Sequence, residues 1–121
     1  VVRSPDNDVS WKLGGGGFHS TVGDLARFGV ALIDGRLLEP ETEREMWSRQ
    51  RTSSGELTDY GLGFRVRGAG EGLRVLHSGS QVKARTMMIL YPHQGVGVVV
   101  MSSSEYADPG VIAWKLVPLL R

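Results

Sequence analysis

The residues of this chain whose types and spacing could do chemistry sit close together. Ser80-Gln81-Val82-Lys83 spells S-x-x-K, the spacing at which one helical turn brings a lysine amine to a serine hydroxyl and activates it as a nucleophile. Here the tetrad follows Gly79 in a connection between two apolar runs instead of opening a helix, so the motif lacks its context. Immediately before it, His77-Ser78-Gly79 ends a run in which Leu73, Val75 and His77 alternate onto one face. Two readings stay open for this tripeptide. One is a strand terminus with a turn histidine. The other is a substrate-lining strand, where glycine lets backbone approach a ligand and the next N–H points at an oxyanion. His19, His77 and His93 share no ligand spacing and no carboxylate pair accompanies them, so no metal site is expected. Zero cysteines exclude thiolate ligands, disulfides, redox motifs and a cysteine nucleophile together. Gly14 to Gly17 precede a helix, yet no strand leads in and no G-x-G-x-x-G or G-K-[ST] completes a phosphate loop. The run reads as a turn, and no cofactor is expected.

These residues must be held by neighbouring elements. Thr21-Val22-Gly23-Asp24 fits a capping box in its Asp form, with Leu25, Phe28, Gly29 and Leu32 following at helical spacing. A helix over residues 22–34 follows, stopped by Gly35. Pro40 at a first helical position, with Glu41 and Glu43 behind it, predicts a second helix that carries Met46 and Trp47 inward. From Ser53 the texture changes to short apolar or alternating runs between glycine turns, placing strands at residues 60–67, 73–78, 86–91 and 96–102. They are joined by GAGEG, GSQVKAR and PHQG, connections short enough to imply an antiparallel meander. A closing helix spans Asp108 to Leu120, limited by Pro118 to about residue 117.

The chain of 121 residues suits one domain, and 40% apolar residues with 17 glycines place it among globular sequences. Fourteen basic against 13 acidic residues are scattered and leave a formal charge of +1, which calls for neither nucleic acid nor an acidic membrane. Apolar runs such as Val98-Val99-Val100-Met101 fall far short of the roughly 20 residues a membrane helix needs. The opening VVRSPDNDVSWK has no initiator Met, apolar h-region or cleavage site, so it is not a signal peptide. The chain reads as a piece of something longer, with residues 1–19 an incoming linker, 20–50 helical, and 58–121 the sheet and closing helix.

The order of these strings is more informative than any one of them. GGGFHSTVGDLARFGVALIDGRLLEPETEREMW, then YGLGF, then LHSGS, then apolar strands around YPHQGVGVVVMSSS, resembles the C-terminal half of the serine β-lactamase-like hydrolases. That group includes class C β-lactamases, D-alanyl-D-alanine carboxypeptidases, related esterases and a mitochondrial β-lactamase-like serine protease. The resemblance covers residues from about 14 to 117. It implies an α+β fold, the C-terminal part of a β-lactamase/transpeptidase-like domain, with an antiparallel sheet of about four strands and helices before and after.

The resemblance also implies chemistry. Family members place a catalytic serine and lysine in an S-x-x-K helix and a tyrosine in a Y-x-N loop, both upstream of the segment matching Gly16-Gly17, and neither is present here. Tyr60 belongs instead to the YGLGW-like strand, where Phe64 stands in for the usual aromatic. The pocket-lining K-T-G or H-x-G strand maps onto His77-Ser78-Gly79, and Ser80 onto the residue whose backbone N–H forms half of the oxyanion hole. His77 is then expected near the nucleophile or a substrate carboxylate, with Ser78 and Gly79 against substrate. The reaction implied is hydrolysis of an ester, amide or β-lactam through an acyl-serine, with a small-molecule or peptide substrate and the N-terminal half of the same protein as partners. Gln81-Val82-Lys83-Ala84-Arg85 is more basic than the Gly-rich stretch usual there. The competing reading is a non-catalytic binding or scaffold module that retains the fold.

Overall fold

A computed structural model describes residues 8 and 10–120. The expected incoming linker lies partly outside the described residues, and within them Ser10–Gly15 form 3-10 turns kinked at Lys12. Three helices follow in order with the strands: α1 (Val22–Ile33), α2 (Pro40–Met46), β1 (Arg65–Arg67), β2 (Arg74–Gln81), β3 (Ala84–Tyr91), β4 (Val96–Ser102) and α3 (Pro109–Leu116). The strands form one antiparallel sheet in the order β1-β2-β3-β4, so the fold is α+β with helices before and after a four-stranded meander.

Local chemistry sets the helix ends. The Asp24 N–H donates to Thr21 Oγ1 at 3.1 Å, and the Thr21 hydroxyl donates to the Asp24 carboxylate at 2.8 Å. The capping box thus closes through the hydroxyl and leaves the Thr21 N–H out of it. Asp108 caps α3 by accepting from the Val111 N–H at 3.0 Å, with Pro109 at the first helical position. The closing helix ends at Leu116, and Val117–Leu120 tighten into a 3-10 turn around the proline, which cannot donate to the α ladder.

Strand alternation divides the apolar residues between two faces. On the first face Val75, Met88 and Leu90 pack with Leu32 of α1 and with Trp47, Phe64 and Val66. On the second, Ile89, Tyr91 and Val98 pack with Ala113 of α3. Val75, Ile89 and Leu90 are essentially inaccessible, and burying each contributes about 1.5–3 kcal/mol. Close approach of α1 depends on Gly29, where a Cβ would stand 3.0 Å from Leu90 Cδ2. No polar or charged residue is buried among the described residues.

Three strands differ from the expected limits. The run 60–67 is extended only at Arg65–Arg67, with Tyr60 joined to Arg65 by an isolated bridge across a turn at Gly61 to Gly63. Gly63 takes φ +80, which breaks the strand and folds the aromatic residue back. The expected connection GSQVKAR is almost entirely strand: Gly79 pairs with Thr86, Ser80 with Arg85 and Gln81 with Ala84. Only Val82 and Lys83 remain as the loop, and of the two Lys83 alone is left-handed, at φ 54, the position at which a type II turn requires positive φ. Pairing with β3 overrides the polar composition of this stretch, because backbone hydrogen bonds do not depend on the side chains.

Candidate functional site

The candidate residues occupy the outer half of β2. Their side chains alternate: His77, Gly79 and Gln81 share the α1 face with Val75, while Ser78 and Ser80 share the α3 face with Leu76. His77, Ser78 and Ser80 are exposed and Gly79 is half-buried. Across the ladder from Gly79, the Thr86 hydroxyl occupies the space that a Cβ would need. A side chain at position 79 would therefore push Thr86 away, and glycine keeps this strip of sheet low.

Strand lengths leave one edge open. β1 reaches β2 only as far as the pair Arg65 and Leu76, so residues 77–81 have a strand neighbour on the β3 side alone. A two-residue hairpin loop makes Gln81 and Ala84 the hydrogen-bonded closing pair. By alternation His77 and Gly79 also bond to β3, and the N–H and C=O groups of Ser78 and Ser80 point to the open edge. No backbone acceptor outside the strands takes either N–H among the described residues. Among the described residues the Ser80 N–H has no acceptor, three residues along β2 from exposed His77.

Lys12 reaches the same end of the strand, its Nζ donating to Gln81 Oε1 at 3.0 Å. Arg85 Nη1 donates to the carbonyls of Gln81 and Ala84 at 2.6 and 3.0 Å, bracing the hairpin. Residues 72–104 contain no Asp or Glu but include Arg74, His77, Lys83 and Arg85. This stretch therefore carries positive charge and no carboxylate. The S-x-x-K spelling has no helix: Ser80 lies in β2 and Lys83 in the turn, so lysine is not delivered to the serine by a helical turn.

On the far side of His77 stands Tyr60, its ring centroid 6.2 Å away and nearly perpendicular at 79°. Arg65 places its guanidinium carbon 5.9 Å from the same ring and donates to Asp59 at 3.0 Å. Asp59 also pairs with Arg67. Partial burial pushes the Asp59 carboxyl up, but the attraction and hydrogen bonds of the two guanidiniums outweigh it and hold the group below its ordinary range. Reading the string YGLGF as a strand alone misses Tyr60 as a neighbour of His77. The signal available was the aromatic next to the Gly61 to Gly63 turn, which the fold bends toward β2.

Elsewhere, a cavity of about 790 Å³ is lined by Trp47, Ser48, Arg49, Val66 and Leu73 with the turn at Gly68 to Gly70. It adjoins the opposite end of β2 and shares no residue with the stretch 77–81, in which His77 lies within the strand and not at its terminus. Among the described residues no group of three or more metal-ligating side chains forms and no helix is long and apolar enough to cross a membrane.

An α+β wall with an open, H-x-G-bearing strand fits the serine hydrolase class that includes β-lactamases and penicillin-binding proteins, and the comparisons agree. The chain belongs to the Beta-lactamase family, which it matches over residues 1–120. Penicillin-binding protein 4* of Bacillus subtilis (strain 168) is 31% identical over 93 residues, 76% of this chain and 21% of that protein. The mitochondrial serine beta-lactamase-like protein LACTB of Homo sapiens is 40% identical over a stretch covering 40% of this chain and 12% of its own length. Its Mus musculus counterpart is equally similar, at 11% of its length. The chain thus spans about a fifth or less of the curated relatives it matches. No solved structure matches it.

Proposed function

We propose that this chain is the pocket-forming C-terminal portion of a serine hydrolase that cleaves an ester, amide or β-lactam through an acyl-serine intermediate, with the nucleophile supplied by chain preceding residue 1. The observation that carries the reading is the Ser80 N–H, unpaired on the open edge of β2 and three residues beyond His77. When a serine oxygen attacks a carbonyl, the carbonyl oxygen gains negative charge, and a preoriented N–H stabilises that charge more than it stabilises the ground state. His77 supplies a hydrogen-bonding and electrostatic group near the nucleophile or a substrate carboxylate, Ser78 a hydrogen bond to substrate, and Gly79 the clearance for substrate to lie along the strand. The bond broken joins the acyl carbon to its leaving group, which departs with a proton, and water then releases the acyl group from serine.

The test exposes two proteins to a labelled penicillin and a fluorophosphonate: this chain by itself and the whole protein that carries it. Mass spectrometry is expected to find one acyl or phosphonyl adduct on a serine outside residues 1–121 in the whole protein, and none on the chain alone. An adduct on Ser80 overturns the assignment of that residue as a backbone donor. A folded whole protein that takes up neither probe nor any ester substrate favours the binding or scaffold module.

A further inference from the structure

We propose that Tyr60 is a positioning residue that sets the orientation of the His77 imidazole, an inference that rests on the role proposed above for His77. Among the described residues no side-chain hydrogen bond reaches the His77 ring, and its directional contact is the perpendicular approach of Tyr60 at 6.2 Å. An edge-to-face pair of this kind is held by the positive ring edge meeting the negative ring face, so it favours one orientation over free rotation.

Such a contact positions His77 only if Tyr60 is itself fixed, and it is fixed twice. Its main chain is pinned to neighbouring loop segments: the Tyr60 carbonyl accepts from the Gln50 N–H at 2.8 Å and from the Thr58 hydroxyl at 2.9 Å. Its N–H reaches the Thr58 hydroxyl oxygen at 3.2 Å. The next residue donates from the Gly61 N–H to the Phe64 carbonyl at 2.7 Å, and a Cβ on Gly61 would collide with the Met46 carbonyl. Phe64 and Val66, just beyond, are buried in the core. The ring is then held by the Arg65 guanidinium at 5.9 Å, itself anchored by Asp59. Asp59, Arg65, Tyr60 and His77 form one line of contacts from a surface ion pair to the middle of β2. Pinned backbone at one end gives an exposed histidine a preferred orientation that its own strand does not provide.

The experiment labels histidines selectively in the whole protein, records the imidazole proton signals, and measures kcat, KM and melting temperature for Tyr60→Phe, Tyr60→Leu and Arg65→Gln. Tyr60→Phe keeps the ring and is expected to leave the His77 signals and turnover close to wild type. Tyr60→Leu is expected to move the His77 ring protons out of the aromatic shielding region and to lower kcat by about ten- to a hundredfold, with KM little changed. If the leucine variant fails to fold, Arg65→Gln removes the guanidinium from the Tyr60 ring and should displace the His77 signals in the same direction by a smaller amount. His77 signals unmoved in both Tyr60→Leu and Arg65→Gln overturn the proposal, and so does an equal loss of kcat in Tyr60→Phe and Tyr60→Leu. If His77→Ala leaves turnover intact while Tyr60→Leu still moves the signals, the positioning stands and the proposed role of His77 fails.

Discussion

Replacing Ser80 by proline removes the one atom on which the proposed oxyanion donor depends. Proline lacks an N–H, and in the middle of a ladder it would break a strand pair, whereas on an outward-facing position it is tolerated. Ser80 is such a position, because Gln81 and Ala84 close the hairpin and the Ser80 N–H points away from β3. Gly79 before it is in extended pairing with Thr86, which the residue preceding a proline favours. The stability change is therefore limited to about 1 kcal/mol for drawing φ toward the proline value. Loss of one oxyanion donor is worth about 2.7–4 kcal/mol of transition-state stabilisation, or about 100- to 1,000-fold in kcat. The assay measures hydrolysis of a chromogenic ester or lactam by the whole protein alongside thermal melting. Ser80→Ala, which keeps the N–H and loses only the hydroxyl, isolates the donor's share, and Gln81→Pro, which removes a bond to β3, should melt far below Ser80→Pro. A folded Ser80→Pro variant with kcat/KM within about threefold of wild type refutes the donor assignment. Equal destabilisation by Ser80→Pro and Gln81→Pro refutes the outward direction of the Ser80 N–H.

Other consequences are open to direct measurement. Gly79→Ala should cost about 1–3 kcal/mol in urea titration, because the added methyl meets the Thr86 hydroxyl, and adding Thr86→Ala should recover part of that loss in a double-mutant cycle. The outer edge of β4, Val96–Ser102, pairs with no described strand and carries no charge or proline. The chain by itself should therefore self-associate in concentration-dependent size-exclusion chromatography, and addition of the upstream half in trans should slow amide exchange at residues 96–102. Asp59 titrates below its unfolded value, so its contribution to stability is complete above the unfolded pKa and is lost as pH falls through the folded one. Denaturation midpoints measured from neutral to acidic pH should show this acid-side loss diminished in Asp59→Asn.

Local signals carried the parts of the fold that depend on a few neighbouring residues. Thr21 with Asp24, Pro40, and Asp108 with Pro109 each satisfy or omit backbone donors at a helix start, so capping chemistry is enough to place those ends within the sequence. The unbroken apolar run Met88, Ile89, Leu90 and Tyr91 suits a strand covered on both faces, because successive residues point to opposite sides and each parity class is apolar. The order of the glycine, YGLGF and LHSGS strings likewise determined the family, without any knowledge of the contacts between them.

Tertiary structure decided what lies between those elements. Residues 79–85 are polar or small and carry no strand pattern of their own, yet they continue the ladder because β3 supplies partners for their backbone groups. The same pairing, together with the early end of β1, decided that Ser80 turns its N–H to an open edge. Tyr60 comes beside His77 only after the turn at Gly63 folds the chain back onto β2, and Lys12 meets Gln81 across a gap of 69 residues. The sequence by itself determined capping, facing and family, which depend on short spacings along the chain. The groups assembled around His77 are distant in sequence, and their meeting depends on sheet register and turn geometry that no short segment encodes alone.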